Sequence, residues 1–165
     1  MLGDGQPTEG EWRMVAKMVC GWAAAMLWAI AAAAGATEVR LVLRRGERQL
    51  VVYRGETEAA RYPVAVGKRG WETPLGRFAV QRLEKNPAWQ SPWTNHVVPP
   101  GPHNPLGSRW IGFWSDGRNA IGFHGTPDRA SVGQAASHGC VRMFEPDIQT
   151  LFEMVQMGTP VEVVP

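Results

Sequence analysis

One cysteine near the C-terminus stands among residues that could make it a nucleophile. Residues 136–143 read ASHGCVRM. His138 therefore stands two positions before Cys140, and Arg142 stands two positions after it. A thiol attacks a carbonyl carbon as its thiolate, which a nearby imidazole or positive charge favours. His124, in the segment GFHG, could take the proton of Cys140 and later return it to a leaving amine.

The neighbours of these two residues suggest supporting roles. The carbonyl of Gly125 could orient the second ring nitrogen of His124, in place of a carboxylate. Gly139 allows unusual backbone geometry, so the N–H groups of Gly139 and Cys140 could face a developing oxyanion. The forked donors of Arg142 are well shaped for a substrate carboxylate.

Two other interpretations of the same residues stay open. His124, His138 and Cys140 could bind zinc, and His96 or His103 could add a fourth ligand. A Cys/His pair two residues apart is unusual for a structural zinc site, and no C-x-x-C accompanies it. Cys140 could instead be an inert core residue, but this leaves the flanking Ser-His-Gly and Arg unexplained. We therefore expect neither a metal nor a cofactor.

The elements that must position these residues are mostly strands. Alternating apolar residues and glycine-containing turns are typical of a β-meander between residues 38 and 80. The predicted strands are 39–43, 49–54, 61–67, 78–82 and 119–125, and the last of them carries His124. The fold class is therefore mostly β.

One helix is predicted near the C-terminus. Pro146 can occupy its first position, and Asp147 suits the positive N-terminal end. Gly158 would end the helix, and residues 160–164 predict a closing strand. Apolar residues recur at helical spacing, namely at Ile148, Leu151, Phe152 and Val155.

Residues 86–110 are rich in proline, which disfavours regular structure and predicts a long, restricted loop. Long ordered loops in small domains are often functional. Trp89, Trp93, His96 and His103 could line a pocket there, and we select Trp89 and His103 as substrate-binding candidates. Alternatively, the tryptophans pack the loop onto the sheet.

The N-terminal region has the pattern of a secretory signal peptide. Residues 18–34 are almost uninterruptedly apolar, follow Arg13 and Lys17, and end in a small-residue site that predicts cleavage after Ala36. An uncleaved membrane anchor is the alternative, since about 17 apolar residues can just span a bilayer. A buried core helix is disfavoured because no polar face interrupts the run.

The predicted organisation is an N-terminal extension and signal peptide over residues 1–36 and one domain over 37–165. The acidic start suits a leader poorly, so translation could begin at Met14 rather than Met1. Scattered basic residues argue against nucleic-acid binding. Removal of the leader would leave Cys140 without a cysteine partner, which in an exported protein suggests a reactive thiol.

Residues 124–143 resemble the signature of the L,D-transpeptidase catalytic domain, the YkuD-like family. The shared pattern is His-Gly, a spacer, and Ser-His-Gly-Cys followed by an aliphatic residue and Arg. The similarity extends to residues 66–78 (VGKRGWETPLGRF), to 86–89 and 99–110, and to the final GTPVEVV. No cell-wall-binding module is recognisable in the sequence.

The resemblance implies a β-sandwich-like fold with the cysteine at the base of a groove, and peptidoglycan stem peptides as substrate. Cys140 would form a thioester at the third residue of a tetrapeptide stem and expel D-alanine, with His124 as base and Gly125 contributing its carbonyl. An amine from another stem, a lipoprotein lysine, a D-amino acid or water would then resolve the thioester. The substrate end of the site would be shaped by Ser137, His138, Gly139 and Arg142, and His138 would also be a catalytic residue.

Two alternatives to transpeptidation remain. An L,D-carboxypeptidase or amide hydrolase would act on the same stems with water as the acceptor. A catalytically silent wall-binding module would hold stems while Cys140 stays unreactive. In the leading interpretation the protein is a monomer exported to a periplasm.

Overall fold

The computed structural model of the protein describes residues 38–165, and within them the chain forms thirteen strands and one α-helix, α1 (Glu145–Met154). A short 3-10 turn covers Arg129–Ser131. In chain order the strands are β1 (Val39–Arg44), β2 (Gln49–Arg54), β3 (Thr57–Pro63), β4 (Val66–Gly67), β5 (Gly76–Ala79), β6 (Arg82–Lys85), β7 (Trp89–Gln90), β8 (Val97–Val98), β9 (Arg109–Ser115), β10 (Ala120–Gly125), β11 (Ala135–Ser137), β12 (Val141–Met143) and β13 (Pro160–Val164).

Two sheets dominate the described chain. The first has the order β3-β2-β1-β13-β5 and the second the order β12-β10-β9-β6, while β11-β4 and β7-β8 form two small ladders. Phe113 in β9 joins the sheets, because its ring lies 5.5 Å from Phe78 in β5 and 5.0 Å from Phe123 in β10. Ile148 and Leu151 of α1 are fully buried in the same core. The mostly β class is confirmed, with one α-helix among residues 38–165.

The helix is shorter than the sequence predicts. It begins at Glu145, so Pro146 occupies the second position, and it ends at Met154. Val155 is already extended and packs into the core. Gly158 does not end the helix but lies in the following turn, where its N–H donates to the Val80 carbonyl. Tertiary hydrogen bonds therefore end the helix earlier than its apolar periodicity indicates.

Two predicted strands each divide in the structure. The segment 61–67 breaks after Pro63, where a residue without an N–H cannot continue the ladder, and the chain crosses to pair β4 with β11. The segment 78–82 changes sheets. The Val80 N–H donates to Thr159 beside β13, whereas the Gln81 N–H donates to Gly112 in β9.

The proline-rich segment contains more regular structure than predicted. Trp89 and Gln90 pair with residues 97–98 in a short hairpin, and strand β9 begins at Arg109. The buried Asn104 side chain fastens the segment, because its amide donates to the carbonyl oxygens of Pro87 (2.8 Å) and Val98 (3.2 Å). Side-chain hydrogen bonds thus replace the backbone bonds that proline cannot make.

The predicted leader, its cleavage site and the choice between Met1 and Met14 lie outside the described residues. Within residues 38–165, α1 is too short to cross a membrane, and no other segment there forms a membrane-spanning helix.

Candidate functional site

Two parallel strands bring the candidate residues together. In the pairing of β10 with β12, His124 lies opposite Arg142 and Phe123 lies opposite Val141. Phe123 and Val141 are fully buried in the core. Because side chains alternate along a strand, His124 and Arg142 share the other face of this sheet. Cys140 immediately precedes β12, two positions from Arg142.

The thiol lies beside the first half of β10. The Sγ atom of Cys140 is 3.7 Å from the carbonyl oxygen of Ala120. Gly139 packs next to Ile121, since a Cβ at Gly139 would lie 3.3 Å from the Ile121 side chain. Cys140 is half-buried and its thiol is free. The half-buried cysteine is therefore held beside the edge strand β12.

Hydrogen bonds fix the turn that presents Cys140. The hydroxyl of Ser137 donates to the Cys140 carbonyl (2.5 Å) and accepts the Gly139 N–H (3.1 Å). The buried Thr73 hydroxyl donates to the Gly139 carbonyl (2.8 Å) and accepts the Gly67 N–H (3.1 Å). Gly139 has a φ of 114°, which disfavours any side chain. The turn is thus held by the Ser137 hydroxyl on one side and by the Thr73 hydroxyl on the other.

One expectation about this turn is wrong. We expected the N–H groups of both Gly139 and Cys140 to face an oxyanion, but the Gly139 N–H is already bonded to Ser137. The N–H of Cys140 remains the candidate donor. Ser137 accordingly supports the turn from beneath, where it is buried, rather than lining a substrate surface.

His124 is buried and its ring orientation is fixed. Its Nδ1 atom lies 2.6 Å from the Gly125 carbonyl oxygen. Because a carbonyl only accepts hydrogen bonds, Nδ1 carries the proton and Nε2 is left as the base. The ring stacks on that of Trp110, its pairing partner on the adjacent strand β9, with 6.0 Å between the ring centroids. The sequence-based expectation for Gly125 therefore matches the observed hydrogen bond.

The electrostatics favour the neutral forms of His124 and of the Cys140 thiol. Burial lowers the pKa of His124 to about 4, opposed by its bond to Gly125 and assisted by the charge of Arg142. Burial raises the pKa of the Cys140 thiol, an effect that the Gly122 backbone and Arg142 partly offset. At neutral pH His124 is therefore a neutral imidazole and the protonated thiol of Cys140 is favoured.

His138 has quite different surroundings. Its ring is exposed and packs edge-on against the rings of Trp71 and Trp93, with 5.0 Å between the ring centroids in each pair. The two indoles are themselves 50% and 62% exposed. Desolvation, followed by the charges of Lys68 and Arg142, lowers the pKa of His138. These three rings form an exposed aromatic surface, two residues from the thiol along the chain.

Arg142 already has an acidic neighbour. Its Nη1 atom lies 3.4 Å from Asp128 Oδ2, and its backbone exchanges two hydrogen bonds with Ala65. The Arg142 side chain is 25% exposed and the Asp128 side chain is 59% exposed. A substrate carboxylate at Arg142 would have to share it with Asp128.

The structure does not bring every predicted residue to the thiol. Trp89 is half-buried in β7, and His103 is exposed in the turn at residues 101–104. Within residues 38–165 neither makes a ring contact or side-chain hydrogen bond with Cys140 or His124. No three His, Cys, Asp or Glu side chains of the described chain lie close enough to hold a metal ion. The zinc interpretation therefore has no ligand set.

Three residues near the site were not selected from the sequence, namely Trp71, Thr73 and Glu145. Trp71 and Thr73 belong to the segment VGKRGWETPLGRF, whose resemblance to a family motif was the available signal. Glu145 lies at the first position of α1 and packs against Gly125. No pattern in the sequence distinguishes it from an ordinary acidic residue at a helix start.

The chain belongs to the L,D-transpeptidase catalytic domain family, whose model matches residues 38–163. It is 36% identical over 123 residues to the Bacillus subtilis (strain 168) protein named "Putative L,D-transpeptidase YqjB", a match that covers 73% of this chain and 68% of that one. It is 31% identical to "Probable L,D-transpeptidase YbiS" of Escherichia coli (strain K12), over 75% of this chain but 44% of that one.

Solved structures share the fold. An L,D-transpeptidase from Mycobacterium tuberculosis H37Rv superimposes with a TM-score of 0.64 at 19% identity, over 77% of this chain and 57% of that chain. L,D-transpeptidase 3 from the same species gives a TM-score of 0.65 at 18% identity, over 78% and 61%. The chain thus spans about three fifths of these neighbours.

Proposed function

We propose that the protein is a peptidoglycan L,D-transpeptidase that carries its acyl intermediate on Cys140. The observation that carries the proposal is the half-buried free thiol of Cys140, which stands immediately before β12, the strand that pairs in parallel with β10 and its buried, neutral His124. The Gly125 bond leaves Nε2 of His124 free to accept a proton. Family membership and the names of the relatives support the class of reaction.

The first half-reaction forms a thioester. As Sγ of Cys140 attacks the carbonyl carbon of the third stem residue, its proton passes to Nε2 of His124. The developing oxyanion would accept a hydrogen bond from the Cys140 N–H. When the C–N bond breaks, His124 returns the proton to the amine of the departing D-alanine.

The second half-reaction reverses these roles. An acceptor amine attacks the thioester carbon and gives up a proton to His124, and the C–S bond breaks. The proton then returns to sulfur, so the thiol is regenerated and a new amide links the two peptides. With a side-chain amine of another stem as acceptor, the product is a 3→3 cross-link. Water as acceptor would make the protein an L,D-carboxypeptidase instead.

The substrate surface follows from the exposed groups. The rings of Trp71, His138 and Trp93 offer an apolar border to the approach toward Cys140. Arg142 offers a positive charge on the face that His124 occupies. We assign peptide positioning to these residues and give Trp89 and His103 no part in it.

We propose in addition that the protein is exported, because the N-terminal sequence has the pattern of a signal peptide. The apolar stretch at residues 18–34 and its small-residue end are typical of a signal peptide, and a periplasmic location would bring the domain to its polymer. We propose that the exported protein acts as a monomer. Cleavage after Ala36 is tested by N-terminal sequencing of the protein recovered from cells.

The deciding experiment compares the protein with its Cys140→Ala variant on disaccharide-tetrapeptide muropeptides, followed by mass spectrometry. Loss of D-alanine with a cross-linked dimer, both absent in the variant, supports transpeptidation. Tripeptide without dimer, even with added amine acceptors, favours the carboxypeptidase. Binding without any product, together with a Cys140 that resists alkylation in the folded protein, would favour the wall-binding module and reject the proposal.

A further inference from the structure

The orientation of His124 depends on a carbonyl that belongs to a glycine. The Gly125 carbonyl turns back to accept the Nδ1–H of the preceding residue. Gly125 is the last residue of β10, where it pairs with Met143. Beyond it no strand ladder restrains the chain, and glycine itself restricts its backbone least of all residues. Something outside the strand must therefore hold this carbonyl in place.

The side chain of Glu145 fills the space beside Gly125. A Cβ built on Gly125 would clash with the Glu145 carboxylate, and so would one built on Gly107. The same Cβ on Gly107 would also lie 2.8 Å from the Cα and carbonyl carbon of Gly125. Two glycine backbones and one carboxylate are thus packed against one another with room for hydrogen alone.

The Glu145 carboxylate is itself fixed. It accepts the Ser108 N–H at 3.3 Å to each oxygen and the Ser108 hydroxyl at 2.7 Å. Gln149, one turn along α1, donates to the same hydroxyl at 3.1 Å. The N-terminal end of the helix also favours a negative charge at this position. The carboxylate therefore connects α1 to the segment 107–108 across the Gly125 backbone.

From these contacts we propose that Glu145 is a positioning residue, which keeps the Gly125 carbonyl turned toward His124 and so holds the ring as the Nδ1–H tautomer. The catalytic consequence rests on the function proposed above, whereas the effect on the ring does not. Without Glu145 the peptide after Gly125 can rotate, and the ring can adopt the other tautomer, whose Nε2 carries a proton and cannot act as a base.

The test measures the ring and the reaction separately. Nitrogen-15 NMR of the histidine rings at pH 7 is expected to show one Nδ1–H tautomer for His124 in the unaltered protein and a mixture in Glu145→Ala. The kcat of that variant falls about ten- to a hundredfold with KM nearly unchanged, because misplacement affects the reacting groups rather than binding. Glu145→Gln keeps the size of the side chain and one acceptor oxygen, so it should retain most of the Nδ1–H tautomer and most of kcat.

A matched control lies on the same helix. Glu153 is exposed and pairs with Lys85 at 3.4 Å, so Glu153→Ala removes a carboxylate from α1 without touching Gly125. It should leave both the tautomer and kcat unchanged. If Glu145→Ala does not fold, Ser108→Ala removes the hydroxyl anchor and should give the same changes in smaller measure.

The outcomes separate the two proposals. A folded Glu145→Ala or Ser108→Ala protein with one tautomer and full kcat overturns the positioning role. Lower stability with an unchanged tautomer reduces Glu145 to a packing residue and also overturns it. If the unaltered protein has no turnover but its tautomer still responds to Glu145→Ala, the positioning stands and the proposed reaction fails.

Discussion

The two histidines near Cys140 occupy opposite kinds of environment. His124 lies on a central strand, is buried, stacks on Trp110 and donates to a carbonyl. His138 lies on a turn, is exposed and touches only the edges of Trp71 and Trp93 among aromatic rings of the described chain. A general base needs a fixed ring with one free nitrogen, and only His124 has both. The strand side of the site, which carries His124, thus suits proton transfer. The loop side, which carries His138 with Trp71 and Trp93, suits contact with a ligand.

The largest expected effect separates the two rings by activity. His124→Gln should lower kcat about 10²- to 10⁴-fold, the usual contribution of a general acid-base group. His138→Gln should act mainly on KM and lower kcat by less than about tenfold. Steady-state release of D-alanine from tetrapeptide measures both variants. Equal losses of kcat would remove the distinction between the strand side and the loop side.

The next effect is a loss of stability in acid. The pKa of His124 is about 4 in the folded protein against an ordinary value of 6.5. As the pH falls, His124 is therefore protonated at a higher pH in the unfolded chain than in the folded protein. The contribution of the neutral His124 to the free energy of unfolding is complete above pH 6.5. About 3 kcal/mol of it is lost as the pH falls toward 4. Urea unfolding across this range should show a shallower acid loss in His124→Gln. His138→Gln should behave nearly like the unaltered protein, and an identical slope for both variants would contradict the buried, neutral His124.

A third prediction concerns the turn that joins the two sides. Thr73→Val leaves the Gly67 N–H and the Gly139 carbonyl without their partner. The loss should be about 1–3 kcal/mol, since buried polar groups become unsatisfied. Thr150→Val, at an exposed hydroxyl on α1, is the matched control and should change stability by less than about 0.5 kcal/mol. Similar unfolding midpoints for the two variants would show that Thr73 does not hold the turn.

The smallest effect is expected on the exposed aromatic surface. Trp93→Ala removes a mostly exposed ring, so stability should change by less than about 0.5 kcal/mol. KM for the muropeptide should rise several-fold, and Trp93→Phe should recover part of it because an aromatic border remains. Thermal unfolding and D-alanine release measure the two quantities. An unchanged KM would exclude Trp93 from the substrate surface.

Much of the fold and part of the candidate site could be predicted because their signals are local. The local pattern predicted the strand that carries His124, and the spacing of Ile148 and Leu151 predicted α1. The prediction of one strand over residues 78–82 failed because alternation says nothing about which sheet a residue joins. Trp89 was chosen by residue type alone, and its pairing with Val98 keeps it in a separate hairpin.

The sequence by itself determined the short-range chemistry of this protein. Ser137, Gly139 and Cys140 stand within four residues, so their turn follows from local spacing and from the freedom of glycine. Only the tertiary structure decided which histidine is buried, because burial depends on the pairing of β9, β10 and β12. The tertiary structure also placed Thr73 next to Gly139 and Glu145 next to Gly125. Contacts between segments that are distant in the chain arise from packing, and they produce no periodic pattern in the sequence.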